Sequence, residues 1–288
     1  MALFIKLFLY PYNQTFFINT MRISLTLLFL FIFVFITASD YTRISNTRSL
    51  GMGGAGVTHS FSFNPALTAL STNKQIGVDI YNRFSVNGLN TMQTSFCYPN
   101  PLLSGGIHLA SFGNDLYREN LFIIAVAKQV SEKVTLGISI NCRFLQSDLL
   151  ETAPIRLAVD AGVVIKPVDK LLIGISLLDF PSVNLSVTDK QLEQTPVYNL
   201  RAGFNWEFVP LCLLTAELVS SAEKSVAVNM GVEYSPYTSF QLRAGLQGNP
   251  LMPACGIGYE FSKFTLQMAA QFHPLLGTST GLGIQAHF

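Results

Sequence analysis

Nine charged residues fall on the small-or-polar side of alternating segments in this chain: Asp79, Arg143, Arg156, Asp160, Arg201, Glu217, Glu233, Arg243 and Glu260. Five are acids and four are arginines, so a space that enclosed them all would be close to neutral. Two kinds of chemistry are open to such a set. It can line a polar conduction path or a ladder of substrate contacts. It can also neutralise itself as an ion-pair network, because buried charges need partners, and this second use is favoured on that ground. Enzyme chemistry is not signalled. His108, His273 and His287 belong to strand faces, with no acid or nucleophile beside them at a recognisable spacing. His59 is solitary and reads as an exposed residue. Cys97, Cys142, Cys212 and Cys255 lie far apart without metal-ligand spacing, so no metal and no cofactor is expected.

The elements that carry these charges are strands. Val134, Leu136, Ile138, Ile140, Cys142 and Phe144 alternate with Thr135, Gly137, Ser139, Asn141 and Arg143. The same period of two runs through 155–166, 226–234, 240–247 and 264–273, and through the final run from Thr280 to Phe288. Weaker runs near 75–84, 91–98, 105–112, 120–129, 171–178, 197–207, 211–219 and 254–261 bring the total to about fourteen, an even number as in bacterial barrels. Tight connections (131–133, 168–170, 208–210, 235–238 and 262–263) fall at every second position, and the interleaved ones are on average longer. That asymmetry is expected of periplasmic turns and extracellular loops. Aromatics gather at strand ends, among them Tyr98, Trp206, Phe208, Tyr259, Phe261 and Phe288, as in the girdles of a membrane barrel.

Composition agrees. The 288 residues are 49% hydrophobic and 12% charged, against roughly 25% charged in ordinary globular proteins. Beyond the N-terminal region no apolar run approaches the ~20 residues of a membrane helix. A net charge of +1 gives no basic face for nucleic acid. Residues 1–39 read as a leader region. Met21-Arg22, the apolar stretch Ile23 to Ile36 and small residues at Thr37 to Ser39 have the layout of a signal peptide over 21–39. The alternative is a membrane anchor beginning at Met1.

Residues 40–73 lack alternation. They hold Leu50, Gly51, Met52, Gly53, Gly54 and Ala55, then Asn64, Pro65 and Ala66. Glycine at this density permits tight folding and close approach to a wall. The segment is therefore expected as a plug inside a barrel over 74–288, with a periplasmic tail as the alternative. It is not a phosphate loop, because no strand precedes it and no Lys-Ser/Thr follows.

The stretch RSLGMGGAGVT followed by NPALTAL is similar to the N-terminal signature of the long-chain fatty-acid transporter superfamily of outer-membrane barrels. It resembles most the branch holding accessory barrels of the type IX secretion system of Bacteroidetes-type bacteria. TPVYNLRAGFNW, VNMGVEYSPYTSFQLRAG and HPLLGTSTGLGI extend the likeness down the chain. The resemblance implies a fourteen-strand barrel with an N-terminal hatch. The gap between Val57 and Asn64 is shorter than that family's pattern and lacks its acidic residues. The extracellular loops are short too, which speaks against a high-affinity lipid pocket.

The reading is an all-β, transmembrane antiparallel β-barrel with an N-terminal plug, non-enzymatic and monomeric, in the bacterial outer membrane. Its expected partners are outer-membrane lipid and secretion-system proteins, as an accessory interaction barrel. The alternative function is passive transport of small hydrophobic molecules; a soluble β-sandwich adhesin is a third class.

Overall fold

The computed structural model describes Arg43 and residues 46–147, 153–185, 198–221 and 226–288. The expected leader over 1–39, with its cleavage region, lies outside the described residues, as do the tips of three inter-strand connections.

Fifteen strands follow one another along the chain: β1 (Gln75–Asn82), β2 (Asn90–Tyr98), β3 (Ser104–Gly113), β4 (Tyr117–Ser131), β5 (Val134–Ser147), β6 (Ile155–Val168), β7 (Leu171–Leu178), β8 (Ser182–Asn184), β9 (Asn199–Val209), β10 (Cys212–Ser221), β11 (Ala227–Tyr237), β12 (Phe240–Gln247), β13 (Met252–Phe261), β14 (Phe264–His273) and β15 (Gly277–His287). Fourteen of them form a closed antiparallel ring, each paired with its neighbours and β1 with β15. At the seam, Lys74 and Phe288 exchange two backbone hydrogen bonds of 3.0 Å. Phe288 thus completes the ladder, and closure leaves no free edge within the fourteen-strand ring of described residues.

The additional strand, β8, is not predicted by the alternation. β8 pairs only with β6, at Arg156↔Asn184 to Ala158↔Ser182, while β7 pairs with the other end of β6. It resumes the course of β7 after the irregular stretch Asp179–Pro181. Asp179 there has φ 62°, which breaks the period of two that makes a strand legible.

Alternation sorts the side chains as period-two geometry requires. On β5, Ile138 and Ile140 are 50% and 59% exposed, whereas Ser139 and Asn141 between them are 3% and 1% exposed. Ile80, Met92, Leu218, Met268 and Leu282 likewise project outward. A ring of β-branched and aliphatic side chains over a closed ladder is an exterior suited to hydrocarbon. Tyr98, Trp206, Phe208, Tyr259, Phe261 and Phe288 stand exposed at the rim that carries Lys74 and the tight turns. Among the described residues no helix is long and apolar enough to cross a membrane.

In a lipid bilayer, Ile138→Arg at mid-strand should cost about 2–4 kcal/mol, and Phe261→Arg at the rim about 0–1 kcal/mol. Urea titration of protein refolded into vesicles measures both. Equal costs would mean that the apolar belt does not lie where the strands place it.

Candidate functional site

The interior is occupied by the glycine-rich segment, whose local structure follows from its sequence. Asn46 caps the short helix α1 (Thr47–Gly51) by accepting a 2.9 Å hydrogen bond from the Ser49 amide. The helix stops at Gly53 and Gly54, with φ of 70° and 77°. Their amides return to Leu50 and Ser49 carbonyls at 3.1 and 2.8 Å, the left-handed ending for which glycine is suited. Asn64 then caps a 3-10 turn (Pro65–Ala69), accepting from the Ala66 amide at 3.1 Å, with Pro65 in the first helical position. Asn64 also donates to the Val57 and Val163 carbonyls, at 3.1 and 3.2 Å.

The inner wall has been cut to receive this backbone. A Cβ on Gly245 would overlap Gly53 and Met52, one on Gly231 would overlap Met52, and those on Gly137 and Gly162 would overlap Asn64 to Ala66. Close approach, rather than turn geometry, is what these wall positions require. Leu50 packs with Tyr81 and Ala269, Gly51 lies against Gly256, and Gly54 faces Gln247 and Asn229. Met52, Ala55, Val57 and Phe63 are buried.

Four wall carboxylates hold the segment. Asp79 accepts from the Thr47 amide and hydroxyl at 2.9 and 2.5 Å. Asp160 accepts from Arg43 at 3.1 Å, and also from Ser139, Asn141 and the Asp179 amide at 2.8–2.9 Å. Glu217 accepts from the Gly56 and Val57 amides at 2.5 and 3.0 Å, while Arg201 neutralises it at 2.6 Å. Glu233 takes Arg48 through two hydrogen bonds of 2.7 and 2.9 Å and Arg243 at 2.6 Å. The Arg201 guanidinium also lies 3.8 Å over the centre of the Phe63 ring.

The nine charges named from the sequence are therefore not one network. Eight reach the interior, but Glu260 is a correction: its parity is inward, yet it is the penultimate residue of β13, at the rim, and is exposed. Arg143 and Arg156 oppose each other across β5 and β6 and turn away to separate partners. Arg143 pairs with Asp179 at 3.1 Å and Arg156 donates to Ser182 at 2.9 Å. Sequence reasoning missed Arg43, Arg48 and Asp179, none of which lies on an alternating run. His59 is a second correction. It is not exposed but lies half-buried in the lumen, where burial first and the Arg48 guanidinium second hold its imidazole well below the usual histidine range.

A polar cavity of about 100 Å³ remains between the segment and the β15–β1–β2–β3 wall, bordered by Asp79, Gln93, Ser95, His108 and Gln285. Cys97, which also lines it, donates through sulfur to the Thr68 carbonyl at 3.4 Å. Among the described residues, no group of three or more His, Cys, Asp or Glu side chains is arranged to hold a metal ion.

No protein-family model matches the sequence, and no curated protein matches it. Solved structures do resemble the fold. The toluene transporter TodX of P. putida superimposes with a TM-score of 0.61 at 11% identity, covering 86% of this chain and 99% of that one. A Pseudomonas aeruginosa FadL homologue gives 0.56 at 10% identity, covering 85% and 98%. At this identity the likeness is one of architecture.

The wall contacts generate a ranked prediction. Glu233→Ala strands two guanidiniums and should cost about 3–5 kcal/mol. Arg48→Ala leaves the Glu233–Arg243 pair intact and should cost roughly 1 kcal/mol or less, since Arg48 is partly exposed. Urea midpoints of the refolded protein test the order, and the reverse order would contradict the contact scheme. In planar bilayers the wild type should show little steady conductance, and Gly245→Val, which pushes Gly53 off the wall, should raise it.

Proposed function

We propose that this chain is a non-enzymatic, monomeric outer-membrane β-barrel whose N-terminal segment acts as a plug, and that it admits small hydrophobic molecules passively. The observation that carries the reading is the combination of a closed fourteen-strand ring with a lumen filled by its own N-terminal segment. The apolar exterior supports placement in a bilayer. The architecture it shares with a toluene transporter and a FadL homologue supports passage of apolar compounds over other cargo. Dislodging the segment is the step that would open the path, because Met52 is seated against Gly231 and Phe63 beneath Arg201, both buried.

A second reading has its own support. The Arg48-to-Leu70 sequence resembles the accessory barrels of type IX secretion, and a lumen filled in this way suits a barrel that offers its rims to protein partners. Here the plug would be a permanent structural filling, and secretion-system proteins the ligands.

Uptake of radiolabelled toluene into vesicles separates the two. Under the transport reading, wild-type protein speeds entry over empty vesicles and Gly54→Val, which strains the φ 77° position and crowds Gln247, changes the rate. Under the accessory reading, toluene entry matches empty vesicles for both proteins. In the source cell, Gly54→Val would then impair export of partner proteins instead.

A further inference from the structure

Asp79 differs from every other carboxylate that holds the segment. Asp160 is matched by Arg43, Glu217 by Arg201, and Glu233 by Arg48 and Arg243. Among the described residues Asp79 accepts from neutral groups alone: the Thr47 amide and hydroxyl on Oδ1, and the Gln93 amide at 3.4 Å on Oδ2. Three donors favour the ionised carboxylate, which is half-buried and faces no counter-charge among the described residues. The missing charge has a place to sit. Asp79 borders the polar cavity of about 100 Å³, which has room for several waters.

The lining of that cavity decides the sign of its occupant. It contains amide and hydroxyl oxygens from Gln75, Ser71, Ser95 and Gln285, and no lysine or arginine. His108 reaches it with 3% of its surface exposed, and among the described residues its buried Nε2 has no hydrogen-bond partner, nor has Nε2 of His59 on the opposite, segment side. A buried ring nitrogen in that state requires a polar occupant. The hydration waters of a cation are strong donors and would serve both rings. One carboxylate among neutral oxygens is a hard, singly charged site, unlike the multi-carboxylate cages of divalent ions.

We propose that the Asp79 cavity binds a small monovalent cation of the alkali-metal class, which supplies the counter-charge to Asp79 and thereby strengthens its hold on Thr47. The bound ion links cation supply to retention of the N-terminal segment. This does not depend on which compounds cross the barrel, since the site serves a permanent filling as well as a movable plug.

The test uses full-length protein with K⁺, Rb⁺ or bulky N-methyl-D-glucamine as the only cation, at equal ionic strength. The thermal midpoint, read on unboiled gels, should be higher in K⁺ and Rb⁺ than in N-methyl-D-glucamine. Asp79→Asn, which keeps an acceptor for Thr47, should abolish the difference, and Glu260→Gln at the rim should preserve it. Equal midpoints in all three salts, or a difference that survives Asp79→Asn, overturns the proposal. Should Asp79→Asn not refold, crystals of the wild type grown in RbCl decide. An anomalous peak in the cavity beside Asp79 supports the site, and its absence there overturns it.

Discussion

A carboxylate that faces the inside of a closed barrel must be satisfied from within, and this constraint organises the molecule. Glu217 shows it best. At 2% exposure it has no recourse to bulk water, so its two oxygens are covered by Arg201 from the neighbouring strand and by the Gly56 and Val57 amides of the segment. Charged hydrogen bonds of this kind are stronger than neutral ones, and leaving either side unmade is costly. Wall and segment therefore specify each other. Without the segment, Glu217, Glu233, Asp160 and Asp79 would each lose donors.

The glycines answer the same constraint from the steric side. Backbone amides can reach a wall carboxylate only if the wall lets the backbone come close, and Gly231, Gly245, Gly137 and Gly162 open that space. Side chains at those positions would hold the segment away from the charges it satisfies. The glycines of the segment have a different task, since Gly53 and Gly54 turn the chain out of α1 with positive φ. Two groups of glycine, one in the wall for proximity and one in the segment for conformation, produce a single seated unit.

Much of the barrel was legible because period two is a local signal. Fourteen of the fifteen strands, their inner and outer faces and the alternation of tight and longer connections follow from residues a few positions apart. β8 escaped because three residues after the irregular stretch Asp179–Pro181 carry no period. The interior was legible only in part. Parity identifies Asp79, Asp160, Glu217 and Glu233 as inward, but cannot say that their partners in the segment lie 32 to 185 residues away in sequence. Arg43, Arg48 and Asp179 carry no periodic mark at all. Glu260 shows the converse limit: alternation gives the face of a residue and not its height along the strand, and a rim position leaves it in solvent. His59 escapes a reading from sequence because solitary polar residues are commonly exposed, whereas here the closed wall surrounds the stretch that carries it.

The contact between Glu217 and the segment backbone is measured directly by amide hydrogen exchange. In protein refolded into vesicles, the Gly56 and Val57 amides should exchange as slowly as the strand amides around them, and Glu217→Ala should release both to rapid exchange while β9 and β10 stay protected. Rapid exchange of Gly56 and Val57 in the wild type, at the rate of an unstructured peptide, would contradict the claim that wall carboxylates seat the segment.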